Sequence, residues 1–191
     1  LRAFTSGVVA RPLEPRCSRT IGLAFSKTAS SVVSQTMLDY LRDIAGETHF
    51  LIRYPEEVRM DPAEEADFLE QQRRPDSRSV MIAAFMDGVV AGDVSVSPAG
   101  GQQKLRHRAS LGIAVRQPCW SLGLGRILMK EALEAARQMG YAQLELGVFA
   151  DNLRAAALYE SLGFQEWGRM RNAFRLKDGT MVDEILMGLM L

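Results

Sequence analysis

Apolar positions recur along the chain in two periods. From Ser31 to Ile44, Val32, Val33, Met37, Leu38, Leu41 and Ile44 fall on one stripe, which predicts an amphipathic helix closed by Gly46. A second helix is predicted from Pro62, with Asp61 as its N-cap, to about Arg74. Leu128, Ala132, Ala135, Ala136 and Met139 mark a third over Leu124–Met139, stopped by Gly140. Asn152–Leu162 is a fourth, with Asp151 as N-cap and Gly163 as its stop. Between them lie β-compatible runs: Thr20–Phe25, Ser79–Met86, Val89–Val96, Ala109–Val115, and the alternating Ala142, Leu144, Leu146 and Val148. Phe164–Leu176 and Met181–Leu191 complete the set. Asp87-Gly88 and Lys177-Asp-Gly-Thr180 are hairpin turn signals. The predicted order is β-α-α-β-β-β-α-β-α-β-β, a mixed α/β chain without internal repeats.

The junction between Ala109–Val115 and the third helix carries the chemistry. A strand ending in a Gly-containing turn that opens a helix gathers unpaired backbone N–H groups at the positive end of the helix dipole. Such a turn binds phosphate without a basic side chain. Gly123 and Gly125 would let the backbone approach the ligand. A dinucleotide fingerprint needs Gly or Ala at 128, where Leu stands, and a P-loop needs Gly-Lys-Ser/Thr, where Gly125 is followed by Arg126 and Ile127. The stretch Trp120-Ser-Leu-Gly-Leu-Gly125 instead resembles the acetyl-CoA motif of the GNAT N-acetyltransferase superfamily, Arg/Gln-x-x-Gly-x-Gly/Ala, with Trp120 in its first position. Asp151-Asn-Leu-Arg-Ala-Ala-Ala-Leu-Tyr-Glu-Ser-Leu-Gly-Phe164 resembles the superfamily's Asn-x-x-Ala-x-x-x-Tyr-x-x-x-Gly-Phe element, one helix and one strand later. Seven residues make about two helical turns, so Asn152 and Tyr159 share a face, with Ala155 and Ala156 near it.

The resemblance covers about residues 20–191 and implies a GNAT-like fold. Its mixed sheet would have six to seven strands, flanked by about four helices and splayed between the fourth and fifth strands. It implies acetyl-CoA as cofactor, with pantetheine added to the strand edge near Ile113, Ala114 and Val115. One amide there would stabilise the developing oxyanion. Ser121, Leu122, Gly123, Leu124, Gly125 and Arg126 would hold the pyrophosphate, and Asn152, Ala155, Ala156 and Tyr159 would line the pantetheine. Tyr159 resembles the family's general acid. Read from the residue alone, it is equally an amphipathic core residue with a wet hydroxyl. An alkylamine acceptor, of pKa about 10.4, must lose a proton before it attacks. The central strand carries no carboxylate, which leaves Asp93, Glu145 and Glu47 as candidate bases. The implied activity is direct transfer to a primary amine, on a small molecule or a peptide, in a ternary complex. The alternative is a CoA-binding regulatory module of the same fold.

Charge and composition change the picture little. Lys and Arg balance Asp and Glu, for a net charge of zero, which argues against a dedicated nucleic-acid binder. No apolar run approaches the length of a membrane span. Cys17 and Cys119 suggest neither a metal site nor a disulfide framework, and a cytoplasmic setting is expected. A homodimer is an expected assembly. Glu56, Glu57, Asp61, Glu64, Glu65 and Asp67 form an acidic patch, read either as a solvated helix start or as a lure for a cationic amine. His49 and His107 read as surface or loop imidazoles. Residues 1–19 are Arg-rich and acid-poor, and are expected to extend a single domain spanning 20–191.

Overall fold

The computed structural model describes residues 21–24, 31–72 and 77–191. The expected extension, 1–19, lies outside them. The strands are β1 (Ile21–Ala24), β2 (Val80–Met86), β3 (Val89–Pro98), β4 (Arg108–Val115), β5 (Gln143–Phe149), β6 (Gln165–Arg175) and β7 (Met181–Met190). The helices are α1 (Ser31–Glu47), α2 (Pro62–Gln72), α3 (Leu124–Gln138) and α4 (Leu153–Glu160). Their order is the one the two periods predict.

One seven-stranded sheet runs in the order β1-β2-β3-β4-β5-β7-β6. Every neighbouring pair is antiparallel except β4 and β5. The β2–β3 turn puts Asp87 at φ 53° and Gly88 at φ 82°, the left-handed pair that a two-residue hairpin needs. β3 and β4 pair from Gly92↔Val115 to Pro98↔Ala109, and β5 and β7 pair over the whole of β5. The parallel seam is much shorter. β4 meets β5 only at Arg108↔Gln143, Ala109↔Leu144 and Ser110↔Glu145. Beyond Ser110 the two strands diverge, which is the splay expected between the fourth and fifth strands. The closed end is stapled: His107 C=O accepts from the N–H groups of Ala142 and Gln143, and Arg108 pairs with Glu145 at 2.6 Å.

The two faces of the sheet are covered differently. α3 buries Leu124, Leu128, Met129, Ala132, Leu133, Ala135 and Ala136, a broader stripe than its sequence period suggests. These pack with Val94, Val96, Ala109, Leu111, Leu144, Leu146, Val148, Ile185 and Met187 in the main core. On the opposite face α1 sets Met37, Tyr40 and Ile44 against Val90.

Two boundaries differ from expectation for tertiary reasons. α1 runs through Gly46 to Glu47, whose carboxylate is held by Arg116 at 2.9 Å and by the N–H of Gln117 at 2.6 Å. Those contacts fix the final turn that Gly46 alone would release. The N-cap of α4 is Asn152, whose Oδ1 accepts from the N–H of Ala155 at 3.2 Å, while Asp151 lies outside the helix. Asp61 does cap α2 as expected. Its Oδ1 accepts from the N–H groups of Ala63 and Glu64, and Glu64 accepts from the Asp61 N–H, a reciprocal capping box.

Candidate active site

The site begins at the outer edge of β4. Arg116 N–H donates to Ala91 C=O, and Ala114 stands opposite Asp93. Hydrogen-bonding residues alternate along an antiparallel strand. Gly112 and Ala114 therefore turn their peptide groups toward β3, and Ile113 and Val115 turn theirs outward into the splay. Of the three residues expected at this edge, Ile113 and Val115 present backbone groups to the splay, and Ala114 does not. Trp120 Nε1–H donates to Val115 C=O at 2.6 Å. That bond settles which part of Val115 remains free: its N–H. Arg154 of α4 stacks on the Trp120 ring, with its guanidinium carbon 4.3 Å from the centroid. Arg154 is a cation beside the turn that opens α3, and the motif spacing alone did not single it out.

The turn itself is left-handed at Ser121 (φ 62°) and at Gly123 (φ 84°). Gly123 caps α3 without any side-chain hydrogen bond, and the first helical bond runs from Ile127 N–H to Gly123 C=O. The N–H groups of Leu124, Gly125 and Arg126 thus have no partner within the helix and face outward at its positive end. Leu122 is exposed beside them. The two glycines have different tasks. Nothing lies within 4 Å of a Cβ placed on Gly123, whereas one placed on Gly125 would meet Leu158 Cδ2 at 3.1 Å. Gly123 keeps the approach to the turn open, and Gly125 lets α4 pack closely against α3. Arg126 donates from Nη2 to Ser161 Oγ at 2.8 Å, so its guanidinium ties α3 to the end of α4.

α4 supplies the other wall. Ala155 and Ala156 are half-buried, and Asn152 spends its oxygen on the cap. Tyr159 is buried in the main core, with its ring tilted against Phe164 at 6.1 Å. Its hydroxyl has no hydrogen-bond partner among the described residues. Burial pushes the phenol up to about 12, so it is protonated at neutral pH.

The three candidate carboxylates each have a partner. Glu47 is engaged with Arg116 and Gln117, which ties α1 to the loop leaving β4. Glu145 pairs with Arg108 at the closed end of the seam. Asp93 lies beneath α1, where Tyr40 O–H donates to its Oδ1 at 2.7 Å and lies 3.3 Å from Ala114 C=O. Desolvation pushes Asp93 up to about 6, against the opposing pull of the Tyr40 hydrogen bond. Tyr40 is raised as well, by burial first and by Asp93 next.

The acidic patch is largely absorbed by local structure. Glu56 pairs with Lys177, Glu57 accepts from the Tyr54 N–H, Asp61 and Glu64 form the capping box, and Glu65 is buried. His49 is the loop imidazole expected, but it has a partner: Nε2 lies 2.7 Å from Asp151 Oδ2. This contact joins the segment after α1 to the lip of β5. Phe149 stacks on Phe174 nearby, with centroids 3.9 Å apart.

A slender ligand that ends in a phosphate fits this arrangement. An open strand edge would take its amides, an uncapped helix start would take its phosphate, and a buried phenol stands beside the chain. Together, the split mixed sheet and this cradle define the class of CoA-dependent acyltransferases. Residues 38–164 match the acetyltransferase (GNAT) family. The chain is 43% identical over 88 residues to the ribosomal protein bS18-alanine N-acetyltransferase of Escherichia coli K12, covering 46% of this chain and 59% of that relative. It is 30% identical over 126 residues to an L-amino acid N-acetyltransferase of the same organism, covering 64% of this chain and 75% of the relative. The crystal structure of a GNAT-family acetyltransferase from Streptococcus pneumoniae superposes with a TM-score of 0.82 at 26% identity, over 90% of this chain and 99% of that one. The chain belongs to the acetyltransferase (GNAT) family. It is an acyltransferase that moves the acetyl group of acetyl-CoA to an amine.

Proposed function

We propose that the acceptor is a primary α-amine, carried by a free amino acid or by a peptide N-terminus, and that it attacks directly in a ternary complex. The observation that carries the cofactor half is the uncapped start of α3 at Gly123, beside the free edge of β4. Ile113 and Val115 bind the pantetheine amides, and the N–H groups of Leu124, Gly125 and Arg126 hold the pyrophosphate. Bound acetyl-CoA supplies the activated acetyl group. Tyr159 is the proton donor to the departing sulfur, a role supported by its unshared hydroxyl at the tip of a buried ring. The acceptor class is supported by the two relatives, whose names specify a protein alanine and L-amino acids. A peptide N-terminal amine, with pKa about 7.7–8.0, is also easier to deprotonate than a lysine.

The seven strands join in one sheet, which supports a single domain over 20–191 with 1–19 as an extension. A cytoplasmic setting goes with this reading, since the number and spacing of Cys17 and Cys119 in the sequence suggest no disulfide framework. Exposed Trp167 and Met170 on β6 support a homodimer. Among the described residues no helix is long and apolar enough to cross a membrane.

The test is thiol release from acetyl-CoA against free amino acids, peptides with free N-termini, and N-terminally blocked peptides that carry lysine. Turnover with the first two groups is expected. Turnover confined to the lysine peptides overturns the acceptor class. Tight CoA binding with no turnover on any amine would favour a regulatory module.

A further inference from the structure

β5 carries a gap in its row of side chains at Gly147, just past the point where β4 departs. The gap is filled from the next strand: a Cβ at 147 would collide with Oε1 of Glu184. Glu184 stands opposite Phe149 in the β5–β7 ladder, and Leu186 stands opposite Gly147. Facing residues share a side of the sheet, and so do alternate residues along a strand. Gly147, Phe149 and Glu184 therefore point the same way. The seam Ser110↔Glu145 carries that side onto Gly112 and Ala114, and the β3–β4 register carries it to Asp93. This is the face on which Tyr40 of α1 meets Asp93, opposite α3. The Glu184 side chain thus lies back across β5, through the notch at Gly147, toward the edge that faces the splay.

Its partnerships set Glu184 apart from the other acids of this face. Asp93, Glu145 and Glu47 are each hydrogen-bonded. Glu184 is half-buried and has neither a hydrogen bond nor an ion pair among the described residues. Phe149, stacked on Phe174, walls the same mouth with apolar surface. A carboxylate without a partner, aimed across a glycine toward the gap that opens between β4 and β5 beyond Ser110, is placed to meet an incoming ammonium.

We propose that Glu184 is the general base for the acceptor amine, an inference that rests on the acetyltransferase reading. Glu184 takes one proton from the ammonium. The N–C bond to the acetyl carbon forms, the C–S bond breaks with its electron pair leaving on sulfur, and Tyr159 donates the proton that sulfur takes up. The second nitrogen proton, released on collapse to the amide, restores the phenol through water, and Glu184 returns its own proton to solvent. The carboxylate missing from β4 is thus supplied by β7.

The experiment compares the parent with Glu184→Gln, which keeps size and shape, across pH 6–9.5 with an amino acid or peptide acceptor. A loss of roughly 10²–10⁴ in kcat/KM is expected at pH 7, the range for a lost general base. The deficit should narrow as pH passes the amine's own pKa, about 7.7–8.0 for a peptide N-terminus and higher for a free amino acid, because the acceptor then arrives deprotonated. Melting temperature and CoA affinity should not move, since Glu184 has no bond to lose. A second variant pair tests the notch. Glu184→Ala clears the space that blocks a side chain on β5, so Gly147→Glu combined with Glu184→Ala should recover at least tenfold over Glu184→Ala alone, a tenth or less of the general-base range. A Gln variant within fivefold of an active parent at pH 7, or a loss that stays constant with pH while the double variant recovers nothing, would overturn the assignment. A parent that binds acetyl-CoA yet acetylates no amine would instead sink the acetyltransferase reading, and the base with it.

Discussion

Tyr159 and Asp93 are buried ionisable groups with opposite consequences. The Tyr159 phenol, pushed up to about 12 by burial, is the proton donor we propose for the departing sulfur. A thiol in water has a pKa of about 8.5, so transfer from this phenol is uphill unless the sulfur sits in the same dry surroundings, where its own pKa also rises. Tyr159→Phe should cost roughly 10²–10⁴ in kcat, with little change in CoA affinity or melting, because the hydroxyl has no hydrogen bond to forfeit. A Phe variant within about twofold of the parent, far below that range, would leave water as the proton source. Asp93 bears on stability. Its folded pKa, about 6, lies above the ordinary carboxylate value, so the fold favours the protonated form. The folded state then binds more protons than the unfolded chain between about pH 4 and 6, and stability falls as pH rises through that window. Asp93→Asn keeps an oxygen for Tyr40 and cannot ionise. It should raise the melting temperature at pH 7.5, by the equivalent of on the order of 1–3 kcal/mol, and the gain should vanish below pH 4. A difference that is the same at both pH values would refute the account.

Glycines and caps show how far each element could be read in advance. Gly123 and Gly125 look alike in a motif, yet one is open to solvent at φ 84° and the other lies under Leu158. Gly123→Val should therefore weaken CoA binding at least tenfold, about 1.4 kcal/mol, by strain and obstruction at the turn. Gly125→Ala must displace Leu158 by a few tenths of an ångström, and should lower stability more than affinity. Titration calorimetry and a melt on the two variants separate these effects; equal losses of affinity would undo the distinction. The order and type of the four α-helices and seven strands were legible from their periods and turn signals, whereas the 3-10 turns at Pro55–Glu57, Gln103–Leu105 and Gln117–Cys119 were not. The ends of α1 and α4 were not, because the contacts of Glu47 with Arg116 and of Asp151 with His49 come from residues distant in the chain. The open turn at Gly123 and the small-residue wall of α4, where we propose that the pyrophosphate and pantetheine lie, were legible through two local motifs. The partnerships of Asp93, Glu145 and Glu47, and the lean of Glu184 over Gly147, depend on strand register and helix packing, which no local pattern encodes.

At the scale of the whole molecule, the neutral charge and the acidic patch carry less information than the way the sheet divides. β4 is the fourth of seven strands, and central strands ordinarily hold the slowest-exchanging amides of a protein. Here the strand should divide by parity. The N–H groups of Gly112 and Ala114 are bonded toward β3, while those of Ile113 and Val115 face the opening. In deuterated solvent without ligand, the amide protons of Ile113 and Val115 should be lost at rates typical of a loop, while Gly112 and Ala114 retain theirs. Adding CoA should slow the fast pair and leave the slow pair alone. Uniform protection along β4 before any ligand is added would mean that its outer edge is not open. Otherwise, fast and slow protons alternating residue by residue in the middle of a folded sheet would record, in isotope, a vacancy one strand wide.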